Sequence, residues 1–185
     1  MDSGADSYSR FLSGDENGLK EIIRLYRDGM IMYVNLYTQN ISDAEDTAED
    51  VFLKLVMKRP RYNGKASFKT WIYTIAGNTA KDYLRKKSKH QTASIEECCD
   101  TASDDEELET ICLKESRKIQ LHRSMKQLKS DYQKILWLVY FENMSNKEAA
   151  SVVGKSLHAT ENLLYKARKA LKKQLEKDGF EYENL

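Results

Sequence analysis

Residues 61–87 interleave basic and aromatic side chains in a pattern that suits contact with a nucleic acid. Flat rings such as that of Trp71 offer stacking surfaces to unpaired bases, while Lys and Arg hold the phosphates. Asn78 adds an amide that can hydrogen-bond to base edges or sugars. Because duplex readers need few aromatics, the mixture predicts contact with single-stranded or melted DNA, or with RNA. The predicted contact residues are Arg61, Tyr62, Lys65, Phe68, Lys69, Trp71, Tyr73, Asn78, Lys81, Arg85, Lys86 and Lys87.

A second pattern, over residues 145–173, predicts a helix-turn-helix. Ser145 and Glu148 form a capping box at the start of its first helix, and Gly154 can take the positive φ that ends that helix. A short turn between a packing helix and an exposed basic helix is the geometry that places the second helix in a DNA major groove. The alternative is an ordinary helical hairpin. The exposed face of the second helix carries His158, Asn162, Lys166, Lys169 and Lys173.

The net charge of the chain conceals a strong alternation between acidic and basic segments. The 185 residues include 30 Lys and Arg and 29 Asp and Glu, a net charge of +1. By segment the net charge is −7 over 1–53, +10 over 54–90, −8 over 91–116, +9 over 117–177 and −3 over 178–185. The two basic blocks coincide with the two patterns above and indicate a polyanionic partner. The alternative for each block is a solvated helical surface.

The sequence contains no catalytic or metal-binding arrangement that we can identify. Its three histidines are scattered, its three cysteines have no CxxC spacing, and it has no phosphate-binding glycine loop or HExxH motif. We therefore predict a protein that is not an enzyme and that has no metal site, cofactor or disulfide. The acidic residues between 43 and 50 are too dense for a dry acid–base site and suit a docking surface for a basic partner.

Apolar residues recur at helical spacing along the chain, which predicts that helices position these patterns. The sequence has a single proline, which argues against a turn-rich β fold. We expect residues 1–7 to fray and residues 13–15 to separate a short helix from a longer one. Ser42 and Glu45 predict a capping box for the next helix, whose buried face includes Val56. A loop over 58–67 and a helix over 68–87 follow, with Trp71 or Ile72 turned inward; the aromatics of that helix are alternatively core residues.

The acidic stretch after residue 90 lacks periodicity and predicts a linker. Beyond it, Ser130 or Asp131 is expected to cap a helix that carries Tyr140 among its apolar residues. We therefore predict an all-α protein of two small helical domains, residues 1–90 and 111–185, joined by an acidic flexible linker at 91–110. No apolar run approaches the ~18 residues of a membrane span and no signal peptide is evident, so we expect a cytoplasmic location.

Two ordered motifs resemble those of bacterial sigma-70-type factors of the extracytoplasmic-function (ECF) group. Residues 43–55 read DAEDTAEDVFLKL, similar to the Asp-Ala-Glu-Asp start, acidic pair and Phe of family region two. Residues 62–85 read YNGKASFKTWIYTIAGNTAKDYLR, similar to the family's Trp-Leu-Tyr-x-Ile-Ala and Asn-x-Ala-x-Asp-x-Leu-Arg. Residues 128–172 resemble region four and end in a similar ARKAL. The resemblance covers nearly the whole chain.

The resemblance implies an alternative sigma factor that binds core RNA polymerase, directs it to specific promoters and helps to open the −10 region. The carboxylates that would dock on the β′ clamp helices are Asp43, Glu45, Asp46, Glu49 and Asp50. The loop and helix over 61–87 would read the melted −10 strand, with Asn63 and Ser67 added to the contact residues above. Region four would read the −35 element and touch the β flap. Its implied DNA contacts are Lys155, Ser156, His158, Ala159, Glu161, Asn162, Lys166, Arg168 and Lys169.

The family also implies an anti-sigma partner, often membrane-bound, that covers these surfaces. One departure concerns Glu161 and Asn162, which stand where the family often carries Lys or Arg and then Ser. Glu161 would repel phosphate or accept a hydrogen bond from a cytosine amino group. Two other functions remain open: an autonomous repressor or activator that uses only the helix-turn-helix, and a single-strand RNA-binding or enzymatic protein.

Overall fold

The computed structural model describes residues 3–91 and 116–179, and within them every regular element is helical. The helices are α1 (Ser3–Leu12), α2 (Glu16–Thr38), α3 (Ile41–Lys58), α4 (Phe68–Gln91), α5 (Ser116–Lys126), α6 (Ser130–Leu136) with a π-helical extension (Trp137–Phe141), α7 (Asn146–Val153) and α8 (Leu157–Lys177). Two compact units emerge: the first holds α1–α4, the second α5, α6 and α8, and the short α7 is divided at residues 150 and 151. The prediction of an all-α protein with two helical parts is confirmed.

The predicted linker at 91–110 lies outside the described residues, except for Gln91, which ends α4. The three cysteines lie outside them as well. The domain boundaries therefore stay a prediction.

Helix α1 is bound to α2 from its first turn, so the prediction that residues 1–7 fray is wrong for residues 3–7. Gly4, Ser7 and Tyr8 are buried. Asp15 begins the next helix by accepting the N–H of Asn17 at 3.0 Å. The side chain of Arg10 then reaches across the turn to both Asp15 and Glu21 of α2, at 2.6 and 3.0 Å. These contacts add polar links to the apolar packing between the two helices.

Gly18 permits the closest approach of α2 to α1. A Cβ at this position would collide with the carbonyl oxygen of Ser7 and would lie 2.8 Å from the backbone nitrogen of Phe11. Both obstacles are backbone atoms, which cannot rotate away as the end of a long side chain could. The packing of α1 on α2 therefore depends on the missing side chain.

A cluster of aromatic rings holds the start of α4 in the first unit. The ring of Phe68 is fully buried, and its centroid lies 5.4 Å from that of Tyr8 in α1, 5.8 Å from that of Tyr26 in α2 and 5.4 Å from that of Tyr62 in the loop. The hydroxyl of Tyr8 donates to the carbonyl of Pro60 at 2.7 Å. The predicted loop before α4 is present at residues 59–67, and these contacts anchor it at both ends.

Helix α3 begins two residues earlier than a Ser42 cap requires. Its N-cap is Asn40, whose side chain accepts the N–H of Asp43 at 2.9 Å, so the predicted capping box of Ser42 and Glu45 is wrong. Asn40 caps the helix in place of Ser42 because its amide oxygen accepts a hydrogen bond from an N–H group that the first turn leaves without an intrahelical partner. Val56 is 36% exposed rather than buried, because the inward face of α3 passes through Val51 and Leu55 instead.

An ion pair joins α3 to α4 at the edge of the first unit. The carboxylate of Asp43 accepts a hydrogen bond from the ammonium of Lys87 at 2.8 Å. Partial burial raises the pKa of Asp43, but hydrogen bonds from Lys87 and Tyr83 and the charge of Lys87 outweigh it, so the pKa lies below its usual value. The hydrogen bond to Asp43 raises the pKa of Lys87.

In the second unit, side chains of α6 and α8 bind the residues at the end of α5. Gln133 of α6 donates to the carbonyls of Lys126 and Leu128 at 3.0 and 2.8 Å, which satisfies the end of α5. Gln174 of α8 donates to Gln127 at 2.7 Å. The residue before α6 is Lys129, and it provides no side-chain cap, so the predicted cap by Ser130 or Asp131 is wrong.

The π-helical turn after α6 changes which residues face inward. Trp137 is buried and its ring stacks on that of Phe141, with centroids 4.5 Å apart and planes inclined by 5°. Tyr140 belongs to the apolar run of this helix but is 51% exposed. The wider i to i+5 repeat shifts the inward face relative to that of an α-helix, so a 3.6-residue spacing does not predict which residues of this turn are buried.

We predict that Gly18→Ala destabilises the first unit by about 1–3 kcal/mol, because the new methyl group collides with the backbone of α1. At an open helical site the same change would stabilise by roughly 0.5–1 kcal/mol, so the sign distinguishes the two cases. Urea unfolding followed by Trp71 fluorescence in a Trp137→Phe background measures the effect on this unit alone. Lys20→Ala, at an exposed position on α2, is the control. A gain in stability from Gly18→Ala would contradict the predicted packing.

We predict that Asp43→Asn lowers the free energy of unfolding by about 0.5–1 kcal/mol at pH 7, the scale of a partly exposed ion pair. Because the folded-state pKa of Asp43 is lowered, this contribution is present above the unfolded pKa, near 4, and is lost as the pH falls through the folded value. Parallel urea titrations at neutral and strongly acidic pH should show the difference shrink in acid. Asp46→Asn, an exposed neighbour, should cost little at either pH. A loss from Asp43→Asn that stays constant with pH would refute the ionic origin.

Candidate polymerase and nucleic-acid interfaces

The outer face of α3 is half acidic and half apolar. Asp46, Glu49 and Asp50 are exposed, and Leu53 and Met57 continue the same face with 57% and 80% of their surface exposed. Residues three and four positions apart share a helix face, so these five side chains form one stripe, which we call the α3 stripe. Exposed large apolar residues beside charges are typical of a protein-binding surface.

Sequence reasoning missed the apolar half of the α3 stripe. The spacing of the sequence could have revealed it. Leu53 and Met57 do not share the helix face of the buried residues Val51 and Leu55. They follow Asp46 and Asp50 at intervals of three or four residues and so lie on the acidic face. Two of the five predicted docking carboxylates instead face cations of this chain. Asp43 is bound to Lys87, and the carboxylate of Glu45 lies 3.9 Å from the guanidinium of Arg27.

Burial removes two rings from the predicted strand-reading residues. Phe68 is fully buried and Tyr73 is 1% exposed, so neither ring has a free face for a base, and the prediction of direct contact is wrong for both. Tyr73 packs 5.5 Å from Tyr33, centroid to centroid. Trp71 and Tyr62 are half-buried with centroids 5.3 Å apart, and each retains an accessible part. Ile72, rather than Trp71, supplies the buried residue at this turn of α4.

The remaining strand-reading residues form an accessible basic surface on the loop and on α4. Ser67 lies at the start of α4, with its hydroxyl 3.3 Å from the amide nitrogen of Thr70. Asn63 accepts the N–H of Lys65 at 3.0 Å, which shapes the loop tip next to Gly64 at φ +70°. The predicted residues that are exposed are Arg61, Asn63, Lys65, Asn78, Lys81, Arg85, Lys86 and Lys87, and those that are half-buried are Tyr62, Ser67, Lys69 and Trp71. Lys87 is partly committed to Asp43.

The predicted helix-turn-helix is present at α7 and α8. The N–H of Ser145 donates to the carboxylate of Glu148 at 3.0 Å and the N–H of Glu148 lies 3.3 Å from the Ser145 hydroxyl, which is the predicted capping box. Gly154 takes φ +71° after α7. Ser156 caps α8 by accepting the N–H of Ala159 at 3.2 Å.

Helix α8 has one buried side and one basic side. Thr160, Leu164 and Ala167 face the core of the second unit. All nine residues predicted to contact duplex DNA are exposed: Lys155, Ser156, His158, Ala159, Glu161, Asn162, Lys166, Arg168 and Lys169. Sequence reasoning missed Tyr165, which is 68% exposed on the same side. Arg168 lies 5.5 Å from the ring centroid of Tyr140, which turns its guanidinium toward the π-helical turn.

Neither a metal cluster nor a membrane span is found in the described part of the chain. No group of three or more His, Cys, Asp or Glu side chains there could hold a metal ion. No helix within residues 3–91 or 116–179 is long and apolar enough to cross a membrane.

Comparison with known solved structures places this helical arrangement in a known fold. The chain superimposes on CnrH, solved in complex with the cytosolic domain of CnrY, with a TM-score of 0.67 at 18% identity over 96% of this chain and 99% of that one. It superimposes on the sigma factor RpoE of Bartonella quintana, solved with the anti-sigma factor NepR, with a TM-score of 0.64 at 18% identity over 85% and 96% of the two chains. At this identity the likeness concerns the fold.

Sequence comparison identifies the family. Residues 22–90 match the model of sigma-70 region 2, and residues 118–171 match that of sigma-70 region 4. The chain is 29% identical to the RNA polymerase sigma factor YlaC of Bacillus subtilis over 164 residues, 87% of this chain and 94% of that protein. It is 22% identical to the ECF RNA polymerase sigma-E factor of Escherichia coli K12 over 170 residues, 88% of each. With both regions in family order, the chain belongs to the sigma-70 family of RNA polymerase sigma factors, in its ECF group.

Proposed function

We propose that this protein is an alternative sigma factor that joins core RNA polymerase, directs it to specific promoters and helps to open their −10 region. The observation that carries the proposal is the combination of both sigma regions, in order, with three separate accessible surfaces: the α3 stripe, the basic loop and α4, and the exposed side of α8. Such a subunit selects and positions the polymerase and performs no chemistry of its own.

The α3 stripe is the proposed contact with the β′ clamp helices of core polymerase. Its three exposed carboxylates would steer a basic partner, since charges at an interface act mainly on the association rate and on partner choice. Leu53 and Met57 would supply the apolar anchors that a lasting contact needs. Because Asp43 is held by Lys87, we assign it to the support of α3 rather than to the contact itself.

We predict that the two halves of the α3 stripe affect polymerase binding differently. Asp46→Lys with Glu49→Lys should weaken binding to core polymerase by about tenfold or more, chiefly by slowing association. Leu53→Ser with Met57→Ser should weaken it mainly by speeding dissociation, since the buried apolar contact is lost. Binding kinetics at two salt concentrations separate the two effects. Asp28→Lys, an exposed charge reversal on α2, is the control, and equal binding by all variants would exclude α3 as the docking helix.

The loop and the exposed side of α4 are the proposed contact with the melted non-template strand of the −10 element. Lys65, Lys81 and Lys86 would hold phosphates, and the accessible parts of Tyr62 and Trp71 would stack on bases. Asn78 lies exposed in the middle of α4, where its amide can reach a base edge. These features suit a single strand better than a duplex.

We predict that Asn78→Ala weakens holoenzyme binding to a forked template with an unpaired −10 strand by about tenfold, since a good hydrogen-bonded contact of an amide to a base edge is worth roughly 1–3 kcal/mol. Binding to a fully paired upstream duplex should not change. Anisotropy with labelled templates of both kinds measures the two affinities. Asn17→Ala, which removes an exposed amide from α2, serves as the control. An equal loss on both templates would contradict selective reading of the unpaired strand.

The exposed side of α8 is the proposed reader of the −35 duplex, with the second unit also touching the β flap. An autonomous repressor or activator would use this helix alone and would leave the α3 stripe and the basic side of α4 without a role. Run-off transcription discriminates between the two readings. A sigma factor predicts promoter-specific transcripts from core polymerase together with this protein. An autonomous repressor or activator would give none with core polymerase and would change only the output of polymerase that already carries another sigma factor.

We also propose an anti-sigma partner, soluble or membrane-anchored, that occupies these surfaces when the factor is silent. Support comes from the two solved relatives, one of which was determined with the cytosolic domain of CnrY and the other with the anti-sigma factor NepR. The exposed apolar residues of the α3 stripe are suited to such a cover. Competition between a captured partner and core polymerase for the wild-type protein, but not for the Leu53→Ser/Met57→Ser variant, would test this use of the stripe.

A further inference from the structure

A hydrogen bond joins two exposed side chains in the first turns of α8. The amide nitrogen of Asn162 lies 3.1 Å from the Nε2 atom of His158, one helical turn earlier. Because an amide NH2 group can only donate, the imidazole nitrogen accepts. The contact favours one orientation of the Asn162 side chain before any ligand arrives.

The pair lies on the part of α8 that is best placed to meet base edges. The buried positions Thr160, Leu164 and Ala167 define the inward side, and a 3.6-residue repeat places His158 and Asn162 opposite them. In a helix-turn-helix the N-terminal residues of the second helix are the ones that contact base edges. Ala159, which is exposed three positions before Asn162, is too short to block the approach of DNA from that side.

The groups that remain free on Asn162 match one base. With one amide hydrogen donated to His158, the side chain retains one N–H donor and its carbonyl oxygen as acceptor. In the major groove adenine presents the N7 acceptor beside the N6 donor, the pattern that such an amide contacts with two hydrogen bonds. Guanine presents two acceptors there and cannot satisfy the carbonyl oxygen.

We propose that Asn162, oriented by His158, specifies one adenine in the −35 element of the promoters that this factor serves. Asn162 is the specificity-determining residue and His158 is a positioning residue. Because His158 already orients the Asn162 side chain, that side chain loses less conformational entropy when it binds DNA. The inference rests on the proposed function, because it takes α8 as the reader of the −35 duplex.

The test is in vitro transcription by holoenzyme reconstituted from core polymerase and the full-length protein, on a barcoded promoter library randomised across the −35 element. Wild-type protein should enrich adenine at one position. Asn162→Ala should reduce the preference at that position alone by about 5- to 150-fold. Asn162→Asp, which keeps the shape but replaces the donor by an acceptor, should shift the preference there from adenine to cytosine, whose N4 amino group donates.

Variants of His158 separate positioning from folding. His158→Ala should reduce the adenine preference at the same position while leaving the other positions unchanged. His158→Gln should restore much of it, because the carbonyl oxygen of Gln can accept from the Asn162 amide. A merely structural role would lower transcription from every promoter and would leave the base preference intact.

Two controls distinguish failure of the inference from failure of the proposed function. Lys166→Glu should weaken transcription from all library members without changing base preference, as expected for a phosphate contact. Glu176→Ala, exposed near the end of α8, should have no effect. If wild-type protein shows base preferences that Asn162→Ala leaves intact, or loses a base other than adenine, the inference is overturned and the proposed function stands. If transcription is indifferent to the whole −35 library, the proposed role of α8 fails first.

Discussion

The buried ring of Phe68 is the contact on which the arrangement of the first unit depends. It brings α1, α2, the loop and α4 to a single point, with ring centroids at 5.2–5.8 Å and tilted or edge-on planes. Aromatic pairs favour such offset and tilted arrangements, which fix both distance and orientation. Since Phe68 is also the first residue of α4, the cluster determines where that helix starts and which of its sides faces outward.

The position of α4 in turn determines which residues can meet a partner. With Phe68, Ile72 and Ala76 turned inward, Asn78 and the lysines of α4 remain at the surface. On α3, burial of Val51 and Leu55 similarly leaves the acidic and apolar stripe outside. The Asp43–Lys87 ion pair joins the acidic helix α3 to the basic helix α4. It engages one of the carboxylates predicted to dock on polymerase and one of the cations predicted to contact the −10 strand. The binding surfaces therefore consist of the residues that are neither buried in the core nor engaged in the Asp43–Lys87 ion pair.

The second unit combines polar closure of its helix ends with an apolar core that includes Ile135, Leu136 and Leu164. Gln133 closes the end of α5, the Ser145–Glu148 box starts α7 and Ser156 starts α8. Local caps of this kind fix where each helix begins. Burial of Thr160, Leu164 and Ala167 then decides which side of α8 is exposed. The His158–Asn162 contact then adds a preference within that exposed side that the helix alone does not supply.

Local chemistry in the sequence was sufficient for the helical elements and the family. The breaks at 13–15, the loop before α4, the Ser145–Glu148 box and the turn at Gly154 depend on neighbouring residues, so they could be read from spacing alone. The two sigma motifs are contiguous and were recognisable for the same reason. The choice of Asn40 over Ser42 as a cap and the π-helical turn at Trp137 were missed, because competing local options differ by little and the surrounding packing decides between them.

Only the tertiary structure decided which functional candidates are accessible. The sequence predicts that Phe68 and Tyr73 stack on bases, because an aromatic residue on a basic helix gives the same sequence pattern whether its ring contacts a base or another ring. Asp43 likewise read as a docking charge until Lys87, 44 residues away in the chain, was seen to bind it. Leu53 and Met57 drew no prediction from the sequence, and only the structure shows that no helix within residues 3–91 or 116–179 covers them. Burial and pairing are relations between distant segments, and a linear pattern of residue types does not contain them.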